Sequence, residues 1–444
     1  MGLPENDYSP TERLRLLKGA FGSLLVHTGA ILVGLGTSMV LGRLLGAEGF
    51  GNYTLFLVVF TLVGLPIHKG LRAFVLREVS AAREAGDTAH LAAVLGFTRR
   101  SILQFSLIFA ALVTIAAMIM PGQASFVVVS ALLVPLLALL ERQGAFIAGL
   151  GHPIAGQIPE QILRHLLLIL MIATAVVSGL GARITPQVAM ALSCSAIALS
   201  LLVTGPFLRR ALAAQPALPL PGPARPGWFW SMCLLSMIAG LAYLNQRIDL
   251  LVIAALLDTR DVGIYRIAGQ VALLVVIPQI AINRYISPAM SAAFKARNHG
   301  RMQRLLAGAS FLAIAGGLPL ALTLVLFDVE ILTMAFGGDY AEGAASLSIL
   351  TLGYLASAVF GSVGVALTMT GHERDAAWGM GIAVASNLML NVPMVLWLGM
   401  PGAAIATAIS LLIWNAFLAW RVHQRTGLGS SVVFLPFLTR AERS

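Results

Sequence analysis

Three ionisable side chains sit inside apolar runs of the stretch 243–270, YLNQRIDLLVIAALLDTRDVGIYRIAGQ. Arg247 and Asp249 lie in the first run and Arg266 in the second, with a short charged turn near Thr259 between them. A charge at the centre of a span costs ~2.5–3.5 kcal/mol on insertion scales, so such groups mark ion or substrate paths by default. Arginine stays protonated and grips phosphate through two parallel donors. Asp249 lies ~15 Å down a helix from the turn and Arg266 ~10 Å down its antiparallel partner, at 1.5 Å per residue, so the two can pair. On one continuous helix Asn245 and Asp249 share a face, whereas Arg247 and Asp249 do not. Arg247 is therefore the candidate for an anionic substrate. Asp249 and Asn245 are candidates for pairing or for coupling to a proton or sodium ion. The alternative is that Arg247, Asp249 and Arg266 form a buried network that fixes geometry.

A second set of cations lies near the other membrane face. Lys69, Arg72 and Arg284 fall ~24–28 Å from the outer turns, at the inner edge of the hydrocarbon core. They either ring the mouth of a substrate path or snorkel to lipid head groups. His27, Asn387 and Asn391 line a path or hydrogen-bond between helices. The inner cluster Lys295–Arg304 reads as orientation signal and anionic-lipid contact.

The elements that carry these residues are membrane spans. The 444-residue chain is 58% hydrophobic and only 11% charged, with mean hydropathy +0.88. Apolar runs long enough to cross a bilayer recur throughout, so the fold class is all-α and polytopic rather than a β-barrel. Twelve spans are expected near 20–42, 52–71, 101–120, 125–147, 161–179, 187–208, 229–257, 262–283, 305–327, 346–370, 376–398 and 402–421. Basic residues crowd alternate loops, while Asp328, Glu330, Asp339 and Glu342 mark the opposite side. This asymmetry predicts a multi-pass membrane protein with both termini cytoplasmic. The net charge of +10 follows from that loop pattern and does not indicate nucleic acid. Cys194 and Cys233 fall in apolar runs as small core residues, with no metal site or disulfide framework implied. The polar first 18 residues lack a cleavable signal, and Pro10 is expected to open a surface helix before an uncleaved anchor span.

The chain repeats itself. Residues 44–72 align with 256–284 without a gap, with nine identities that include Gly51/Gly263, Tyr53/Tyr265, Pro66/Pro278 and Arg72/Arg284. The glycines suit a turn or close helix approach, the tyrosines an outer-interface anchor, and the prolines a kink. The positions facing Asn245, Arg247, Asp249 and Arg266 are Val33, Leu35, Thr37 and Thr54, so the deep charges belong to one copy. Gly151–His152 and Gly371–His372 form a second echo. A Pro-rich segment at 211–227 separates a six-helix lobe, 1–210, from another, 228–444. With six spans each the halves share one orientation, as in transporters built from parallel repeats.

The run LGRLLGAEGFGNYTL at 41–55 resembles the first-hairpin signature of Wzx-type polysaccharide and O-antigen flippases. These belong to the multidrug/oligosaccharidyl-lipid/polysaccharide (MOP) exporter superfamily. The run QRIDLLVIAALLDTRDVGIYRIA at 246–268 resembles the family's seventh-to-eighth-span signature, and the block from Phe336 to Gly402 its C-terminal part. The resemblance implies a MATE/MOP-like fold of two six-helix lobes. It implies transport by alternating access of an undecaprenyl-diphosphate-linked oligosaccharide, such as an O-antigen repeat unit of lipopolysaccharide, to the outer leaflet. Membrane lipids and polysaccharide assembly proteins are the implied partners, and a cationic cavity the implied site. A diphosphate and a glycan cannot cross hydrocarbon unaided, which is why fixed cations suit the task.

Three alternatives share parts of this pattern. A drug/cation antiporter of the same superfamily favours several buried carboxylates, whereas Asp249 is the one carboxylate read deep inside a span. A lipid II flippase shares the chemistry but normally carries extra spans. A membrane enzyme of surface-glycan assembly needs a large outer loop or a carboxylate constellation, which the short outer loops do not offer. No P-loop is present, so ATP is not expected as direct fuel.

Overall fold

The structure, a computed structural model, describes residues 10–429 apart from 120, 121, 123 and 221. All regular structure among the described residues is helical: α1 (Pro10–Leu65), α2 (Leu71–Ala85), α3 (Thr88–Ile119), α4 (Ala124–Ala131), α5 (Leu133–Gly149), α6 (Arg164–Val177), α7 (Pro186–Ala213), α8 (Trp228–Asn245), α9 (Ile248–Leu256), α10 (Thr259–Ala272), α11 (Ile277–Lys295), α12 (His299–Leu326), α13 (Asp328–Phe336), α14 (Ala344–Val359), α15 (Val363–Met369), α16 (Glu373–Leu398) and α17 (Met400–Thr426), with short π and 3₁₀ turns between some of them. Among the described residues, eleven continuous stretches are long and apolar enough to cross a membrane. The first, Gly22–Ala85, runs for 64 residues and turns at Gly46, so it supplies two spans and restores the expected twelve.

The duplicated hairpin turns in two different ways. In the first copy Gly46 takes φ 68° and ψ 177°, a conformation that a side chain disfavours. Its counterpart is Asp258, which turns in extended backbone and opens α10 through a reciprocal capping box with Asp261. The turn is thus made at Gly46 and Asp258. Gly51 and Gly263 are buried helical residues, so of the two roles expected for them the turn is not theirs.

Tyr53 and Tyr265 are also not interface anchors. They are 7% and 2% exposed, and the Tyr53 hydroxyl pairs with Ser193 Oγ at 2.9 Å. Their conserved spacing from the turn places them on the inward face of each hairpin, where a buried ring needs a hydroxyl partner. The Gly-His echo is a pair of helix ends. Gly151 and Gly371 adopt φ 101° and 80°. His152 N–H then reaches Ile147 O at 3.1 Å and His372 N–H reaches Leu367 O at 2.8 Å, the six-to-one bond of a Schellman cap.

The helices pack as two units, Leu25–Leu244 and, separately, the residues up to Leu24 with those from Asn245 onward. In the first unit Phe74, Val75, Val134 and Phe146 are fully buried around α2 and α5. Trp228, at the start of α8, stacks edge-on against Phe74, Phe97 and His90 at 5.4–5.6 Å. The third helix begins at Thr88, well before residue 101, because Asp87 caps it by accepting from His90 N–H at 2.8 Å. That bond holds the Asp87 carboxyl below its ordinary range, with Arg225 adding to the effect. In the second unit α11, α12, α15 and α17 pack around Met290, Leu306 and Leu367, all fully buried.

Candidate functional site: two charge clusters

Each unit carries its own cluster of charges within the spans. In Leu25–Leu244 two π-helical turns build it, Pro66–Gly70 and Pro159–Leu163, each opened by a proline. Proline lacks the N–H that an α-helix requires and its ring crowds the preceding turn, so the helix widens locally. The carbonyls nearby then need other donors. Thr61 O accepts from His68 Nε2 at 2.9 Å. Pro66 O accepts from Ser236 Oγ at 3.2 Å and Pro159 O from Ser200 Oγ at 3.1 Å.

These turns bring Lys69 and Glu160 together. Lys69 Nζ lies 2.8 Å from Glu160 Oε1 and 2.8 Å from Glu141 Oε1 on α5. Arg72 pairs with the second oxygen of Glu160. His68 Nδ1 stands 3.5 Å from Glu141 Oε1, with both side chains almost wholly buried. Lys69 and Arg72 thus do not project as bare cations. They are two arms of a matched network, with side chains still 32% and 23% accessible.

The second cluster forms where the seventh span breaks. Helix α8 ends at Asn245 and α9 starts at Ile248, with Arg247 in non-helical backbone at φ −133° between them. The expected continuous helix over 229–257 is thus two helices, which removes the helical-face argument separating Arg247 from Asp249 and joining Asn245 to it. Asp249 lies in the first turn of α9 and accepts from Leu250 N–H at 2.9 Å, a favourable place for an anion at a helix start. The charges of both Arg247 and Arg266 bear on it, and Tyr265 and Tyr354 lie alongside. Two guanidinium groups thus act electrostatically on one carboxylate beside a half-helix, at the kind of discontinuous span used for charged ligands.

The remaining expectations resolve individually. Arg284, in the unit from Asn245 onward, donates to Ser23 Oγ at 2.8 Å. Asn391 is fully buried, and its Nδ2 donates to Asn387 Oδ1 at 2.8 Å within the same helix rather than between helices. Thr37 and Thr54, which occupy the places of Asp249 and Arg266 in the first copy, are buried at 4% and 2%. Arg260 forms a bidentate pair with Glu342 at 2.6 and 2.8 Å at the outer turn.

Glu141 and Glu160 correct the reading that Asp249 is the one deep carboxylate. Glu141 is 1% exposed and lies within a helix that spans Ala124–Gly149. It falls inside the expected span 125–147. Its neighbour Arg142 turns aside, donating to Thr98 Oγ1 at 2.8 Å and lying over the Phe146 ring at 5.0 Å. Prolines inside two apolar runs, each followed within three residues by a charge, were the available signal.

Residues 40–345 match the family model described as polysaccharide biosynthesis protein. A probable low-salt glycan biosynthesis flippase, Agl15 of Haloferax volcanii, is 26% identical over 180 residues. That match spans 40% of this chain and 38% of the relative's length. Among solved structures, an inward-facing multidrug resistance MATE family transporter of the MOP superfamily superposes with TM-score 0.74 at 13% identity, covering 90% of this chain and 94% of that one. The lipid II flippase MurJ, in an inward closed conformation, gives TM-score 0.67 at 14% identity over 90% and 86% of the two chains. The fold is that of the MOP superfamily.

Proposed function

Because this chain belongs to the polysaccharide biosynthesis protein family, we propose that it is a flippase. Its cargo is an oligosaccharide on an undecaprenyl-diphosphate carrier, moved by alternating access to the outer leaflet of the inner membrane for surface-glycan assembly. The observation that carries this reading is the broken seventh span, where Arg247 and Arg266 flank a single carboxylate. Two fixed cations against one anion favour a negatively charged head group. The named relative is described as a probable glycan biosynthesis flippase, which agrees with the reading. An inside-negative potential adds ~2.3 kcal/mol per charge per 100 mV to outward movement of an anion. Asp249 is the group proposed to couple return of the emptied site to a proton or sodium ion. The crowding of basic residues in alternate loops supports cytoplasmic termini.

A drug/cation antiporter is the second reading, and Glu141 and Glu160 are the observation in its favour. Lys69 and Arg72 already match both charges, so the cluster has no excess negative charge to hold a cation. One experiment separates the two readings. Arg247→Ala removes a charge-assisted contact of ~1.5–3 kcal/mol, so glycan export falls about ten- to hundredfold while the protein still inserts. Surface glycan is measured alongside drug susceptibility in the deletion strain. Normal glycan in the variant, with drug susceptibility altered by deletion, rejects the flippase in favour of the antiporter.

A further inference from the structure

His68 sits inside a span with no exposure at all, yet both of its ring nitrogens face oxygen. Nε2 lies 2.9 Å from Thr61 O, a carbonyl that can only accept, so Nε2 carries a hydrogen. Nδ1 then faces Glu141 Oε1 across 3.5 Å. If the ring were neutral and Glu141 ionised, two lone pairs would oppose each other in a place without water to separate them. Neither Nδ1 nor the other Glu141 oxygen has a hydrogen-bond partner. A proton belongs between them, on the imidazole or on the carboxyl.

The charge ledger of the cluster gives that proton a consequence. Lys69 and Arg72 cancel Glu141 and Glu160. Adding one proton at His68–Glu141 leaves the cluster with an excess of one positive charge. The groups bearing on Glu141 are Lys69, His68 and Arg72, and Glu160 reaches it through Lys69. The helices packed on α5 add neutral partners here, Thr98 from α3 to Arg142 and Thr204 from α7 to Gln143. Lys69 and Arg72 keep accessible side chains, whereas His68 and Glu141 do not. An anion can therefore meet the cations while the proton stays enclosed.

We propose that His68 and Glu141 hold one shared proton, and that this proton and a phosphate or diphosphate group bind the unit together. The proposal rests on the flippase reading for the origin of the diphosphate, and it assigns that reading a second contact site and a coupled proton. Binding of either partner raises affinity for the other by the same factor.

The test uses purified full-length protein in detergent, with inorganic pyrophosphate and farnesyl diphosphate as probes. Calorimetry in buffers of different ionisation enthalpy counts protons taken up on binding. We expect uptake by the wild type and an affinity that weakens about tenfold per pH unit above the site's midpoint, the limit for one linked proton. His68→Gln keeps a donor for Thr61 O but holds no proton, and Glu141→Gln keeps the shape. Both variants bind without uptake and with a flat pH dependence. Binding of farnesyl diphosphate alone identifies the lipid-borne group as the ligand, and binding of both probes identifies the bare anion. A flat wild-type profile, uptake retained in His68→Gln, or no binding of either probe at any pH overturns the proposal. Glycan export that still depends on Arg247 would leave the flippase reading standing in that event.

Discussion

Lys69 is one cation shared between two carboxylates, and only Glu141 of the three is fully enclosed. Removing one partner of a buried ion pair leaves the other charged and unsolvated, which costs about 3–5 kcal/mol. Lys69→Met should therefore destabilise the protein by that order, because Glu141 cannot reach water. Glu160→Gln should cost less, since its side chain is 13% accessible and Arg72 is near the surface. The double variant Lys69→Met/Glu141→Met removes both charges and should be more stable than Lys69→Met alone. Thermal unfolding of the wild type, Lys69→Met, Glu141→Met and the double variant in detergent closes the cycle, and additive losses would show that the two groups do not interact. The sequence identified Lys69 and Arg72, as a rim or as snorkelling cations. It did not join them to Glu141 and Glu160, because only tertiary packing brings residues 69, 141 and 160 together. Arg247, Asp249 and Arg266 were legible directly, since no apolar run explains them otherwise.

Helix geometry carries the next level. Pro66 was read as a kink, and it does deform its helix, but as a π turn that directs His68 and Lys69 inward. At the duplicated position a 3₁₀ turn, Leu273–Val276, precedes Pro278. The same proline thus sits at different turns in the two copies, and in the first a neighbouring helix donates to the freed carbonyl of Pro66 through Ser236 Oγ. In the first copy that neighbour is α8. A Cβ added at Gly70 would stand 1.7 Å from Ser236 Oγ and 2.8 Å from Ser236 Cα. Backbone as well as side chain is in the way, so Gly70→Ala must push α8 off the π turn and should cost about 1–3 kcal/mol or more. Gly36, in the preceding span, has no atom within 4 Å of such a Cβ, and Gly36→Ala should be neutral or slightly stabilising. Comparing the melting temperatures of the two variants tests the packing, and equal behaviour would contradict it. The twelve spans themselves were legible because each needs its own apolar run. The break after Asn245 was not, since neither Gly nor Pro marks it.

At the scale of the whole chain, the linker and the packing divide the sequence in different places. The Pro-rich segment ends before Trp228, yet α8 packs with the helices that precede it. Three contacts fasten it there: Trp228 against Phe74, Phe97 and His90, Arg77 Nη2 to Ser231 Oγ at 2.7 Å, and Ser236 to Pro66 O. The repeat could not reveal this, because duplicated sequence reports ancestry of the spans rather than which helices share a core. A consequence concerns where the chain can be cut. A fragment of residues 1–220 ends inside the linker and lacks α8, so the notch at Gly70 and the rings of Phe74 and Phe97 lose their cover. A fragment of residues 1–244 keeps the whole first unit. We expect the longer fragment to insert and elute from size exclusion in detergent as one symmetric peak, and the shorter one to aggregate. Trp228→Ala in the longer fragment removes a large buried ring at a cost of about 3–5 kcal/mol and should shift it towards the shorter fragment's behaviour. If 1–220 and 1–244 behave alike, α8 does not complete the first unit, and the boundary of that unit lies at the linker after all.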